Sequence, residues 1–268
     1  MRFDSDVSTI FDRTALALRA NLSTCRASTF AEPKERPQMI DCRRRNYLVT
    51  FHPLCSTARG RQAIRVAKLP AFIDGSCRRE PDLESEHPSI TSLCRAGKFA
   101  PRLRKNDRVL YMTVKGHYRG VEGRALVAAL EVTHVFPSHQ RAARWYRGQG
   151  LTLPSNCMVP ANGPIAAHLT TGLPRNPEAL WRVWSASVQG PATLAAWDQA
   201  YAQRSKRHPR FVVTKPLRPV AITAPKILSD QQICAALGTW KVPGTQNYKL
   251  LSDAAFESLL RRLKNGNR

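Results

Sequence analysis

Acidic residues are scarce in this chain. Its 268 residues hold 19 Asp and Glu against 42 Lys and Arg, a formal net charge of +23. Uncompensated charge on this scale repels itself in a compact state, and a polyanionic partner relieves the repulsion. Nucleic acid is the first candidate, with DNA preferred to RNA; an anionic membrane surface comes second. The excess is not one tail. It recurs at Arg43-Arg44-Arg45, Arg78-Arg79, Arg102 to Arg108, Arg204 to Arg210 and Arg261 to Lys264. Long apolar runs are also missing. No stretch reaches the ~18 residues that a spanning helix needs, so a membrane partner is not expected. Met1 to Ile10 is acidic and polar, which argues against a secretory signal at this start. The seven cysteines (Cys25, Cys42, Cys55, Cys77, Cys94, Cys157, Cys234) are odd in number, widely spaced and without a CxxC pair. That pattern disfavours a disulfide framework and a zinc knuckle, and fits free thiols in a cytoplasmic protein. No glycine-rich phosphate loop of the Walker or Rossmann kind occurs, so neither ATP nor NAD is expected. No cofactor or metal is expected.

What is present is enough for one core. A hydrophobic fraction of 43% over this length suits a single large domain or a medium one with extensions. Residues 1–45 read as a basic, poorly ordered or loosely helical extension, with apolar periodicity confined to Ile10–Leu22. Residues 46–268 read as one α+β domain: a β-rich core over about 46–165, then a helical and proline-rich part over 166–268. Tyr47 to Phe51 is the first strand. Ala63 to Leu69 is a second strand or a helical turn. Asp74 to His87 reads as a polar loop, and Ser89 caps a short helix to Leu93. Asn106-Asp107 turns the chain into a strand over Val109–Val114, buried on one or both faces. Gly116 to Gly123 is a loop. Arg124 to Phe136 is a long strand that pairs with the one before. Ser138 caps a helix that Gly150 ends. Leu151 to Pro177 is a long connection. Glu178 to Tyr201 is helical and carries Trp181, Trp184 and Trp197. Arg204 to Arg210 is a basic linker before a strand at Phe211–Thr214. Ser229 caps Asp230–Leu237, Pro243 to Asn247 is a turn, and Ser252 caps a helix that gathers Phe256, Leu259, Leu260 and Leu263 on one face.

The run Leu103 to Tyr111, a polar segment turning at Asn106-Asp107 into a hydrophobic strand, resembles a recurring element of PUA-like domains, the EVE and ASCH types among them. Asn106 stands where such turns usually carry Gly, and Asn also tolerates the left-handed conformation. The wider run Cys77 to Gly116, with Ser155-Asn156-Cys157-Met158, is similar to the nucleotide-modification-associated domains of that group. The likeness covers residues 46–165, with an extension through Pro243–Asn247 to Phe256. It implies a small mixed β-barrel decorated with helices, and a cleft that receives a base, often a modified one. It implies no catalytic set residue by residue.

The candidate site residues follow from position and chemistry. Thr113, Lys115 and Gly116 end the clearest strand, where loops build sites; Lys115 suits a phosphate and Gly116 lets a backbone approach closely. Ser155, Asn156 and Cys157 lie in the proline-rich loop. The Asn156 amide offers a donor and an acceptor to a base edge, and Cys157 is a candidate nucleophile. Of the aromatics Tyr47, Phe51, Phe99, Tyr111, Tyr118 and Trp145, Phe99 and Tyr118 stand in polar surroundings and are the better stacking candidates. Arg102 and Arg104 alternate, so an extended chain points both the same way, toward phosphates. Asp74, Glu80, Asp82, Glu84 and Glu86, with His87, form the one acidic cluster. It reads as a solvated loop balancing Arg78 and Arg79, the alternative being a metal or acid–base site. The expected function is base recognition without catalysis. The alternatives are a base-modifying enzyme using Cys157 or the acidic cluster, and a structural nucleic-acid-associated protein.

Overall fold

The computed structural model describes residues 44–166, 194–242 and 248–264, all within the compact unit Arg43–Arg268. The expectations for residues 1–43, for Trp181 and Trp184, and for the turn at 243–247 lie outside the described residues.

The architecture is α+β, built on an eight-stranded mixed sheet. Strand β1 (Asn46–Phe51) runs parallel to β3 (Arg108–Thr113), with Asn46 opposite Arg108. The 16-residue strand β5 (Val121–Phe136) lies antiparallel to β3 on one side and to β6 (Phe211–Pro216) on the other. Strand β2 (Ser89–Ile90) pairs with β6, and β8 (Lys249–Leu251) pairs with β1. Strands β4 (Gly116–Tyr118) and β7 (Lys226–Leu228) both pair with β5. The path β2-β6-β5-β3-β1-β8 is open rather than the expected barrel. Its ends are strands of two and three residues, and Ser89 of β2 is also bridged to Asp82.

The central strands are buried on both faces, and each face has its own cover. Tyr47, Val49, Phe51, Val109, Tyr111 and Val127 pack with Phe72, Leu83, Ile90, Phe99 and Leu103 from the β1–β3 connection. Leu48, Leu110, Met112, Leu126 and Ala129 pack against the last two helices, α4 (Asp230–Leu237) and α5 (Asp253–Lys264). The face of Phe256, Leu259, Leu260 and Leu263 is the seam. Arg108 locks α5 to the sheet: it donates to Asn46, Glu257 and Asp253 at 2.6–2.8 Å and lies 4.1 Å from the Phe256 ring centroid. Helix α2 (His139–Gly148) packs Ala142, Ala143 and Tyr146 on Phe211 and Val213. Helix α3 (Leu194–Arg207) seats Tyr201, with Trp197 and Leu194, against Cys77 and Leu93. None of the helices among the described residues is long and apolar enough to cross a membrane.

Several sequence expectations hold locally. Ser138 accepts from the Arg141 N–H, and Gly150 takes φ +68° just past α2. Ser229 forms a full capping box with Gln232. Asn106 is left-handed at φ +72°. Asp107 bolts that turn in place, accepting from the Arg45 and Arg104 N–H groups at 3.0 and 2.9 Å. We predict that Asn106→Gly leaves stability near wild type, while Asn106→Val costs about 1–2 kcal/mol in urea unfolding, because a branched side chain resists positive φ. Equal midpoints for the two variants would refute this reading of the turn.

Other expectations are corrected. Of the two readings of Ala63–Leu69 the helical one holds and the strand one falls: Ala63–Ala67 completes helix α1 (Ala58–Ala67), capped by Thr57, whose hydroxyl satisfies the Gly60 N–H, and Lys68 and Leu69 lie past its end. Ser89 starts a strand, not a helix, because β6 offers it a ladder at Val212 and Val213. Gly116–Gly123 is a β4–β5 hairpin rather than a loop. Gly123 is required there, since a Cβ would sit 2.5 Å from the Leu228 carbonyl of crossing β7. The basic linker at 204–210 is helical as far as Arg207.

Candidate functional site

Chemistry-bearing side chains gather in two places. The first is interior. Asp74, Arg78, Arg79, Glu80 and Asp82 are all buried, which corrects the solvated-loop expectation for these residues, while Glu84 and Glu86 are exposed as expected. Burial is sustained because each charge has partners. Arg78 donates its Nε to Asp198 of α3 at 2.6 Å, and its Nη1 reaches the carbonyls of Ser155, Asn162 and Gly163. Arg79 donates to the Asp74 carbonyl at 2.6 Å and pairs with Glu84. Asp82 accepts the Ser155 N–H and hydroxyl, both at 2.7 Å. Glu80 accepts the Thr91 N–H at 2.9 Å, the Thr91 hydroxyl, and the Asn156 amide at 3.4 Å. Burial pushes the Glu80 carboxyl up to about 8, against the lowering effect of the Thr91 hydrogen bonds. Burial likewise raises Asp74.

This network consumes the groups that the sequence offered to a ligand. Asn156 is fully buried; its carbonyl takes the Ser89 hydroxyl at 2.7 Å and its NH2 serves the Ser89 carbonyl and Glu80. No edge of it is left for a base. Cys157 is fully buried, and its thiol donates to the His139 carbonyl, not to an imidazole nitrogen. Burial pushes the thiol up to about 12 and the His139 imidazole down to about 4, so no thiolate–imidazole pair forms. The burial of the thiol and its carbonyl partner do not favour the Cys157 nucleophile reading. The acidic residues do not converge on His87 either: its ring lies edge-on to Trp145, with centroids 5.5 Å apart.

The remaining sequence candidates separate. Phe99 is a core residue edge-packed on Tyr47 and tilted against Tyr248, and Tyr118 is a core residue packed on Phe72, its hydroxyl donating to the Val114 carbonyl. Neither presents a ring face to solvent. The Thr113 hydroxyl accepts the Ala125 N–H. Gly116 faces the Tyr118 ring, which a Cβ would meet at 3.0 Å. Lys115 is half-exposed and pairs with Glu122 at 3.0 Å and Asp230 at 3.6 Å. Arg102 and Arg104 are exposed, but they do not alternate on an extended strand. Arg102 ends a 3-10 turn (Ala100–Arg102), donates to the Lys98 carbonyl and lies 5.7 Å from the Tyr248 ring centroid.

The second place is on the surface, at the far end of β5. A bulge between Val132 and His134 breaks the strand's alternation. Val132 and Val135 face one core cluster, while Phe136 faces another. Without the bulge Val132, His134 and Phe136 would share a face; with it, the two rings are turned away from the Val132 face. The His134 and Phe136 rings are parallel to within 3°, with centroids 5.8 Å apart. Trp145 of α2 joins them at 4.8 Å from His134 and 6.0 Å from Phe136. His134 is exposed, and Phe136 and Trp145 are half-buried. Burial lowers the His134 imidazole, and neighbouring Lys105 and His87 lower it further.

Beside these rings runs a groove of about 420 Å³, lined by Pro101, Val135, Phe136, Pro137 and the segment Arg207-His208-Pro209-Arg210. Arg210 is fixed by donating to the Pro101 carbonyl at 2.8 Å, and its buried Nε has no hydrogen-bond partner. His208 is seated against Gly97, whose absent side chain makes room: a Cβ would stand 2.8 Å from the imidazole. Arg207 and Lys105 are exposed. On α2 the exposed Arg141, Arg144 and Arg147 recur at a spacing of three, which puts them on one helical face beside Trp145. Of this surface, sequence reading reached Trp145 and the basic run at Arg204–Arg210, but not His134 or Phe136.

Neither a protein-family model nor a curated protein matches the chain. Among solved structures, that of a hypothetical protein from Leishmania major is similar to it, at 9% identity and a TM-score of 0.33, over 84% of this chain and 98% of that one. A likeness this low carries no functional inference.

Proposed function

We propose that the chain binds nucleic acid, DNA in preference to RNA, through the aromatic and basic groove at the end of β5, without catalysis. The observation that carries this reading is a groove whose lining joins the Phe136 ring to Arg207 and Arg210, with His134 and Trp145 packed beside Phe136 and exposed Lys105 near His134. Aromatic faces that receive bases, next to cations that receive phosphates, are the two elements of sequence-tolerant nucleic-acid binding. The net charge of +23 supports it independently. The PUA-like resemblance, with its barrel, its base-receiving cleft and its association with modified nucleotides, agrees in partner. It differs in place, since Ser155, Asn156 and Cys157 of the similar run are engaged in the interior.

Fluorescence polarisation with short labelled oligonucleotides at two salt concentrations tests the proposal. Wild type binds with log affinity falling steeply against log salt. The double variant Arg207→Ala, Lys105→Ala, altering two exposed side chains, weakens binding by about tenfold or more and reduces the salt slope by about 2. Binding indifferent to salt, or a double variant with the wild-type slope, would contradict the assignment. Oligonucleotides carrying common base modifications, run in parallel, show whether one modified base is preferred.

A further inference from the structure

The groove's walls differ from its rim. Pro101, Val135, Phe136, Pro137 and Pro209 make the walls apolar, while the cations Arg207 and Arg210 belong to the same lining. A flat, weakly polar ring fits such walls, and an anionic group fits such a rim. A duplex presents the opposite arrangement: phosphates outward, and base edges, not faces, in its grooves. Ring faces become available only where a base is unpaired or extruded. The volume, about 420 Å³, lies toward the small end of ordinary ligand pockets.

Among the described residues, α2 and α3, the helices that meet this surface, give the duplex no alternative reading element. A recognition helix contacts base edges with its N-terminal residues. The N-terminal half of α3 is spent on packing, with Leu194, Trp197 and Tyr201 against Cys77 and Leu93. At the start of α2, His139 is 2% exposed and Ser138 caps the helix. What α2 leaves outward is its arginine face, which suits a backbone and reads no sequence.

We infer that the groove takes an unpaired base of a single strand, its face laid on Phe136 and His134, with Arg207 and the α2 arginines on the flanking phosphates. This rests on the nucleic-acid reading above and adds the substrate class. The strand leaves the groove past Trp145, with exposed Arg141 one helical turn before that ring on the same side of α2.

The test compares a labelled single strand, as DNA and as RNA, with a blunt duplex of the same sequence, at one low salt concentration. The inference expects at least one strand type to bind on the order of tenfold more tightly than the duplex. It also expects His134→Ala, a change at an exposed position outside the core clusters, to weaken strand binding several-fold and duplex binding little. The better of the two strand types identifies the sugar the site takes. Equal affinity for strand and duplex, with His134→Ala unchanged on both, would overturn the inference while leaving nucleic-acid binding in place. Absence of binding to strand and duplex alike would overturn both.

Discussion

Replacing Arg78 by Ala is expected to destabilise the protein by about 3–5 kcal/mol. The guanidinium is buried and holds four acceptors, the Asp198 carboxylate and the carbonyls of Ser155, Asn162 and Gly163. Truncation removes the cation and strands its partners. The Asp198 carboxylate loses its counter-ion, and carbonyls of the 155–163 loop lose their donor away from water. Arg78→Lys keeps the charge but has no planar fork, so it recovers only a minority of the loss. The consequence reaches the surface. Arg78 ties α3 to the loop after α2, and α3 ends at Arg207 in the groove. Amide hydrogen exchange over 194–207 should therefore rise in Arg78→Ala by more than in a variant of equal destabilisation placed in α5. A urea midpoint within about 1 kcal/mol of wild type would mean that this network is not holding the loop.

Glu80→Gln is expected to change the pH dependence of stability more than any other single substitution. The folded carboxyl titrates at about 8 because burial disfavours its charged form. Its ordinary value is near 4.5. The sign follows from proton binding. Between pH 4.5 and about 8 the folded state holds a proton that the unfolded chain has released, so stability falls as pH rises through that window. The stabilising contribution is complete below the unfolded value and gone above the folded one. At about 1.4 kcal/mol per pKa unit the total is several kcal/mol. Gln keeps the shape, offers its carbonyl to the Thr91 N–H and cannot ionise. The thermal midpoint of wild type should thus fall from pH 5 to pH 8.5 while that of the variant declines less. Parallel curves for the two proteins would show that Glu80 does not titrate in this range.

Much of the scaffold is legible in the residues, for local reasons. Ser138, Ser229 and Gly150 mark helix ends because caps and left-handed termini depend on one or two side chains. The Asn106-Asp107 turn and the β3–β5 pair follow from short-range chemistry and continuous apolar runs. The errors arise where tertiary contacts decide. Ser89 looks like a helix cap until β6 lies beside it. Asp74 to Asp82 looks solvated because charged residues usually are; here Thr91 and Ser155 come from separate segments to satisfy Glu80 and Asp82, and Asp198 comes to satisfy Arg78. The same network removes Asn156 and Cys157 from the candidate site. Phe99 and Tyr118 looked accessible from polar neighbours in sequence, yet both face inward. The groove was missed because it depends on a bulge at Thr133, and one extra residue in a strand has no signature in a β-rich run. Phe136 and His134 read as ordinary alternating positions until that register shift turns them.

The central claim is that nucleic acid lies on the rings at the end of β5. Photo-crosslinking of a halogenated-pyrimidine oligonucleotide, followed by mass mapping of the adduct, tests it most directly. The account predicts adducts on the peptides holding His134, Phe136 and Trp145, competed away by unlabelled strand and by rising salt. Adducts confined to peptides elsewhere, with those three residues unmodified, would contradict it.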